Sequence, residues 1–234
     1  MDLFNSLIKR TEEVISDNTK TVHNFDSHRL WTDVGYNQVI LQKDTAFELD
    51  GVGFTLVTTE DINDVVVVVG DELKNISSNT KYARVAIVQI EDEDDAQKLH
   101  DTIKKAEYVK YNCYPDGYMM RSASSSNKES VRVSKTALKN NISFGSVGNL
   151  FIRKYKEIPQ VKGVRVIFVN TDVVDYTALQ GIAEKTREIT NTLNKVMDNL
   201  EFDCANCNLK EICDEVEGMR ELHFKSSKGE AHNG

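Results

Sequence analysis

Val65-Val66-Val67-Val68-Val69 is the stretch that decides the fold. Side chains alternate across a strand, so a run that is apolar and β-branched at every position has no polar face to give to water. Such a run suits a strand buried on both faces, inside a sheet that other layers cover. Working outward, Tyr82-Ala-Arg-Val-Ala-Ile-Val-Gln-Ile90 and Val161 to Val169 read as two further strands. Phe47-Glu-Leu-Asp-Gly-Val-Gly-Phe-Thr-Leu-Val57 reads as a strand pair or a bulged strand broken at Gly51 and Gly53. Shorter extended segments are expected at Tyr108 to Tyr114 and Val131 to Val133.

Between these strands the apolar spacing turns helical. Leu3, Phe4, Leu7, Ile8, Val14 and Ile15 share one face of a predicted helix over 2–17, with Asp2 at its N-terminus. The acidic run Glu91 to Asp95 precedes Ala96, Leu99, Ile103 and Ala106, with Lys104 and Lys105 toward the far end. That polarity complements a helix dipole, so the run marks a helix start rather than a cation site. Ser134 is placed to cap a short helix through Leu138, and a further helix is expected from Ser146 to Tyr155, with a break at Pro159. Asp175 is placed to cap a long helix from Tyr176 to Leu200. The expected class is therefore α/β (α+β), a mixed β-sheet with packed helices and a C-terminal cysteine-rich metal-binding tail. Residues 1–200 form one domain, 201–225 the cysteine segment and 226–234 a disordered tail. The polar stretch Ser122 to Ser130 is expected to be a mobile loop.

The 234 residues are enough to bury a large core. A formal net charge of -8 advertises no basic face for nucleic acid. No run of eighteen apolar residues suggests a membrane span, and the first residues lack the basic and apolar regions of a signal peptide. The expected compartment is the cytoplasm, where thiols stay reduced.

The sequence holds no Gly-x-x-x-x-Gly-Lys-Ser/Thr loop, no Gly-x-Gly-x-x-Gly, no Gly-x-Ser-x-Gly and no His-Glu-x-x-His. Gly145-Ser-Val-Gly148 at a helix entry can bring backbone N–H groups to a phosphate, or can be a turn device. Arg121, Arg132, Arg153 and Arg165 are candidate phosphate ligands if the fold gathers them, and ordinary surface charges if it does not. Cys113 reads as a small buried hydrophobe and Trp31 as a partly buried anchor.

Chemistry is stated most openly near the C-terminus. In Cys204-Ala-Asn-Cys207-Asn-Leu-Lys-Glu-Ile-Cys213, three of the four cysteines fall within ten positions, and His223 follows after nine intervening residues. A Cys-x-x-Cys turn can aim two thiolates at one metal or cluster, and a third thiolate and an imidazole complete four soft or borderline donors. That set suits Zn²⁺ or an iron–sulfur cluster and not Mg²⁺ or Ca²⁺. A redox dithiol, a disulfide in an oxidising compartment, cysteines with no special role, and a histidine that is merely solvated are the alternatives.

Phe47-Glu-Leu49, Gly117-Tyr-Met-Met-Arg121, Val131-Arg-Val-Ser-Lys-Thr-Ala137, Ser143-Phe-Gly-Ser-Val-Gly148 and Tyr155-Lys-Glu-Ile-Pro-Gln-Val161 resemble the middle domain of acetyl-CoA synthase, the beta subunit of the carbon monoxide dehydrogenase/acetyl-CoA synthase complex. The similarity runs from about residue 30 to 225 and is stronger from Arg121 onward. The resemblance implies that Cys204, Cys207 and Cys213 match the first three ligands of a [4Fe–4S] cluster, with His223 at the step where the family has its fourth cysteine. The family's nickel-binding Cys-Gly-Cys does not occur. The resemblance therefore implies a stand-alone relative without synthase activity, an anaerobic setting, a protein partner in one-carbon metabolism and coenzyme A as a possible ligand.

Overall fold

The computed structural model describes residues 3–26, 35, 37–41, 44–45, 48–123 and 125–197. Cys204, Cys207, Cys213, His223, Trp31 and the expected helix end at Leu200 lie outside the described residues. The chain runs α1 (Asn5–Val14), β1 (Lys20–Asn24), β2 (Asn37–Leu41), a small pair β3 (Asp44–Thr45) and β4 (Glu48–Leu49), β5 (Gly51–Thr58), β6 (Val65–Val69), β7 (Ala83–Ile90), α2 (Ala96–Tyr108), β8 (Tyr118–Ser122), β9 (Lys128–Ser134), α3 (Lys135–Lys139), α4 (Phe144–Lys156), β10 (Val161–Val169) and α5 (Tyr176–Met197).

The valine run lies inside an eight-stranded sheet ordered β1-β6-β10-β7-β5-β9-β2, with β8 on β9. It pairs antiparallel with β1 and parallel with β10, and Val66, Val68 and Val69 are wholly buried. The sheet is mixed: β6/β10 and β5/β7 are parallel, and the other pairs are antiparallel. Helix α4 packs on the face carrying Val66 and Phe168, where Phe144 stacks on Phe168 at 4.7 Å. Helices α1, α2 and α5 cover the other face, where Arg165 of β10 reaches Glu12 of α1 at 2.8 Å. No helix among the described residues is long and apolar enough to cross a membrane.

Several local signals act as their chemistry requires. The Asp95 carboxylate accepts from the N–H groups of Gln97 and Lys98, so the acidic run is indeed the start of α2. Ser134 caps α3, and Asp175 accepts from Ala178 N–H at the start of α5. The entry of α4 lies slightly earlier than expected, with Ser143 and Ser146 forming a capping box.

Other expectations are corrected. Tyr108 to Tyr114 is not a strand: α2 runs to Tyr108 and a 3₁₀ turn covers Val109–Tyr111. Its apolar residues belong to the end of a helical stripe rather than to a two-residue alternation. Ser122 to Ser130 is not a mobile loop, because β8 ends at Ser122 and β9 begins at Lys128, making a hairpin. The polar residues there include the buried Asn127, Glu129 and Ser130. Helix α1 starts at Asn5 without a side-chain cap.

Candidate functional site

The glycines of α4 have a packing reason. A Cβ on Gly145 would lie 2.9 Å from the His23 ring, and one on Gly148 would lie 2.4 Å from a Val66 methyl. Both are buried, so the helix can rest directly on β1 and β6. The N–H of Ser146 is already taken by Ser143 Oγ at 3.1 Å. The motif expected to cradle a phosphate is thus accounted for as a close helix–sheet contact.

The four arginines do not share a cleft. Arg153 is on α4 and Arg165 is on the opposite face of the sheet, beside Glu12. Arg121 and Arg132 are exposed on the β8–β9 hairpin. Arg121 pairs with Ser130 and Met119 with Arg132, so the two arginines are diagonal neighbours on the side away from the inward-facing Glu129. Sheet geometry separates what a count along the sequence placed together.

What the fold does gather is a buried polar cluster on the α4 face. Arg84 and Glu129 are both wholly buried. Arg84 Nε donates to Glu129 Oε1 at 2.9 Å and Nη2 donates to Oε2 at 2.8 Å. This is the bidentate geometry that suits guanidinium and carboxylate. Tyr82 OH donates to Glu129 Oε1 at 3.2 Å and Ser122 Oγ to Oε2 at 2.9 Å, while the Tyr82 and Tyr118 hydroxyls meet at 2.9 Å. The guanidinium carbon stands 4.9 Å from the Phe151 ring centre. Gly53 makes room, since a Cβ there would lie 2.1 Å from Glu129 Oε2. Burial alone pulls the Arg84 pKa down, but the Glu129 carboxylate outweighs it and holds the group above its ordinary value.

Lys110 is a second buried cation, 3% exposed. Its ammonium donates to Asn127 Oδ1 at 2.9 Å. Burial, then repulsion from Arg84, lower its pKa, against the pull of Glu129 and Glu107. Asn127 sits at the hairpin tip with φ of 52°, and its Nδ2 donates to the Ala183 carbonyl of α5 at 2.9 Å. The cluster is therefore joined through one asparagine to the helix that leads toward the cysteine segment. Burial also pushes the hydroxyls of Tyr82, Tyr118 and Tyr155 above their usual range.

Cys113 is 3% exposed, and burial pushes its thiol up to about 12. It is a packing residue in the protonated form and not a thiolate ligand, as its apolar setting predicts. No group of three or more His, Cys, Asp or Glu residues suited to a metal occurs among the described residues. Sequence reasoning missed the Arg84–Glu129 cluster. Its signal was a charged residue on the inward side of each of two strands, Arg84 within an apolar run and Glu129 among polar neighbours. The set of residues 204, 207, 213 and 223 lies outside the described residues, so its reading rests on donor chemistry and spacing. Comparison with models of known protein families and with curated proteins found no match for this chain.

Proposed function

We propose that the chain is an accessory metal-binding protein of the acetyl-CoA synthase type, holding a [4Fe–4S] cluster on Cys204, Cys207 and Cys213 with His223 as fourth ligand. In this reading it serves one-carbon, corrinoid or acyl-CoA metabolism in an anaerobic cytoplasm, within a protein complex, and has no synthase activity alone. The observation that carries the reading is the donor set itself: three thiols in ten positions with an imidazole nine residues beyond. The burial of Cys113 supports it, because the remaining cysteine is committed to the core. Helix α5, from which the segment follows in sequence, carries buried residues as far as Val196.

Zn²⁺ in a closed Cys₃His site fits the same donors, and a purely structural role would follow. Anaerobic purification with iron, sulfide and zinc analysis separates the two. Brown protein with iron and sulfide in near-equal amounts supports the cluster; colourless protein with one zinc replaces it by the structural site. Loss of neither metal nor colour in Cys207→Ala overturns both. His223→Ala should retain three thiolates yet change the potential or spectrum of the bound group. Coenzyme A, the acyl carrier implied by the resemblance, is tested by calorimetric titration up to about millimolar ligand.

A further inference from the structure

Four buried polar atoms without a hydrogen-bond partner among the described residues lie on α4 or beside the strand it covers: Glu72 Oε2, Asn149 Oδ1, Arg153 Nε and Arg153 Nη2. Gly145, Asn149 and Arg153 follow one another at four-residue steps, so they form one stripe of the helix. Gly145 and Asn149 of this stripe look toward β1 and Asp26 just after it. Gly145 abuts His23, whose Nε2 pairs with Glu72 Oε1, and Asn149 Nδ2 donates to the Asp26 carbonyl at 3.0 Å. Asn149 is 1% exposed.

The pattern on Arg153 is informative because the same protein shows it filled elsewhere. Arg84 uses Nε and Nη2 as a parallel pair of donors on the two oxygens of Glu129. Arg153 buries the same two donors, and no acceptor stands against them among the described residues. A guanidinium edge of this kind matches two oxygens of a carboxylate or phosphate. Asn149 Oδ1 has the opposite need. It is an acceptor, so it requires an O–H or N–H and is left unsatisfied beside a bare anion. Glu72 Oε2 adds a second acceptor toward the start of the helix and disfavours a ligand with a second anionic end.

We propose that Arg153 and Asn149 form a binding site for a small oxyanion that carries a hydrogen-bond donor next to its charge, the chemistry shared by an α-hydroxy carboxylate and hydrogen phosphate. The anionic oxygens lie on Arg153 Nε and Nη2, and the hydroxyl donates to Asn149 Oδ1. The site is independent of the metal reading, since no cysteine takes part. These atoms are shielded from bulk water, so entry requires a local opening and association is slow compared with diffusion.

The test is thermal unfolding of the full chain at pH 7 and constant ionic strength, with lactate and inorganic phosphate as probes and acetate and sulfate as matched ions without the donor. Lactate, phosphate or both should raise the Tm saturably, and acetate and sulfate should need roughly tenfold higher concentration, as expected for an unsatisfied buried acceptor. A response to lactate alone names the hydroxy acid, and a response to phosphate alone names the phosphate. Arg153→Met should abolish the response. Arg153→Lys keeps the charge without the paired donors, and it should lose most of the response. Asn149→Leu should bind acetate and lactate alike. The proposal is overturned if no probe gives a saturable shift, if donor-bearing and donor-free ions act equally on the unaltered chain, or if both Arg153 variants respond like it.

Discussion

Replacing Glu129 by leucine removes an acceptor that takes four hydrogen bonds, from Arg84 Nε and Nη2, Tyr82 OH and Ser122 Oγ. Not all of these losses count equally. Ser122 is partly exposed and can turn to water, and the Tyr82 hydroxyl keeps Tyr118 as a partner. The dominant cost is Arg84, wholly buried, charged and left without its counter-ion. Breaking a buried pair from one side costs about 3–5 kcal/mol. A domain has about 5–15 kcal/mol in all, so Glu129→Leu should forfeit about a fifth or more of the stability. The double variant Arg84→Met with Glu129→Leu behaves differently. Both charges are gone, the volumes are similar, and a thioether can still lie against Phe151. Its loss should fall within about 1–2 kcal/mol of zero, because the desolvation cost of the pair is recovered. Urea unfolding at pH 7 followed by far-UV circular dichroism measures both. A single variant that loses under about 1 kcal/mol, or a double variant as unstable as the single, would refute the claim that an uncompensated Arg84 charge sets the cost.

Lys110→Met should change how stability varies with pH. The native pKa of Lys110 lies below 10.5, so the unfolded chain binds more protons between the two values and the native lysine makes stability rise with pH across that window. Cys113 acts in the opposite sense, its thiol being raised from 9.0 to about 12, as do the buried tyrosines. Wild type minus Lys110→Met therefore isolates the lysine, and a difference that does not rise as pH approaches 10.5 from below counts against its burial. Gly148→Ala places a methyl 2.4 Å from a Val66 methyl and should cost about 1–3 kcal/mol through forced separation of α4 from the sheet; a neutral result in thermal melts refutes that contact. Cys113 should stay unreactive to a thiol reagent in the native chain and react on unfolding, as mass spectrometry of the labelled peptide will report.

The core strands were legible because their sequences leave little choice. Val65–Val69 has no polar side to expose, and Val161–Val169 and Ala83–Ile90 are nearly as uniform. Asp95, Ser134 and Asp175 announced helix starts through side-chain chemistry that acts within three residues. Strands β1 and β8 were missed for the converse reason. Lys20–Asn24 is exposed at four of five positions, and β8 mixes half-buried methionine with serine and arginine, so neither shows a clean alternation. Their extended form comes from the neighbours β6 and β9, a tertiary effect that no local pattern carries. The grouping of Arg84 with Glu129, 45 residues apart in sequence, depends on which strands flank β5, with β7 on one side and β9 on the other. The arginine cluster failed for the same reason in reverse, since closeness in sequence says nothing about which side of a sheet a residue takes.

The placing of β10 between β6 and β7 has a consequence for synthesis. The strand that fills the middle of the sheet ends at Val169, a hundred residues after β6 ends at Val69. At a ribosomal pace of about 5–20 residues per second, the five valines leave the growing chain some 5–20 seconds before their parallel partner exists. Through that interval only the short strand β1 is on hand to pair with them. A β-rich, uncharged run with an open edge is the kind of segment that joins neighbouring chains. Yield in the cell should therefore depend on translation speed across residues 70–160 and on chaperone supply, even for variants whose finished fold is as stable as the original.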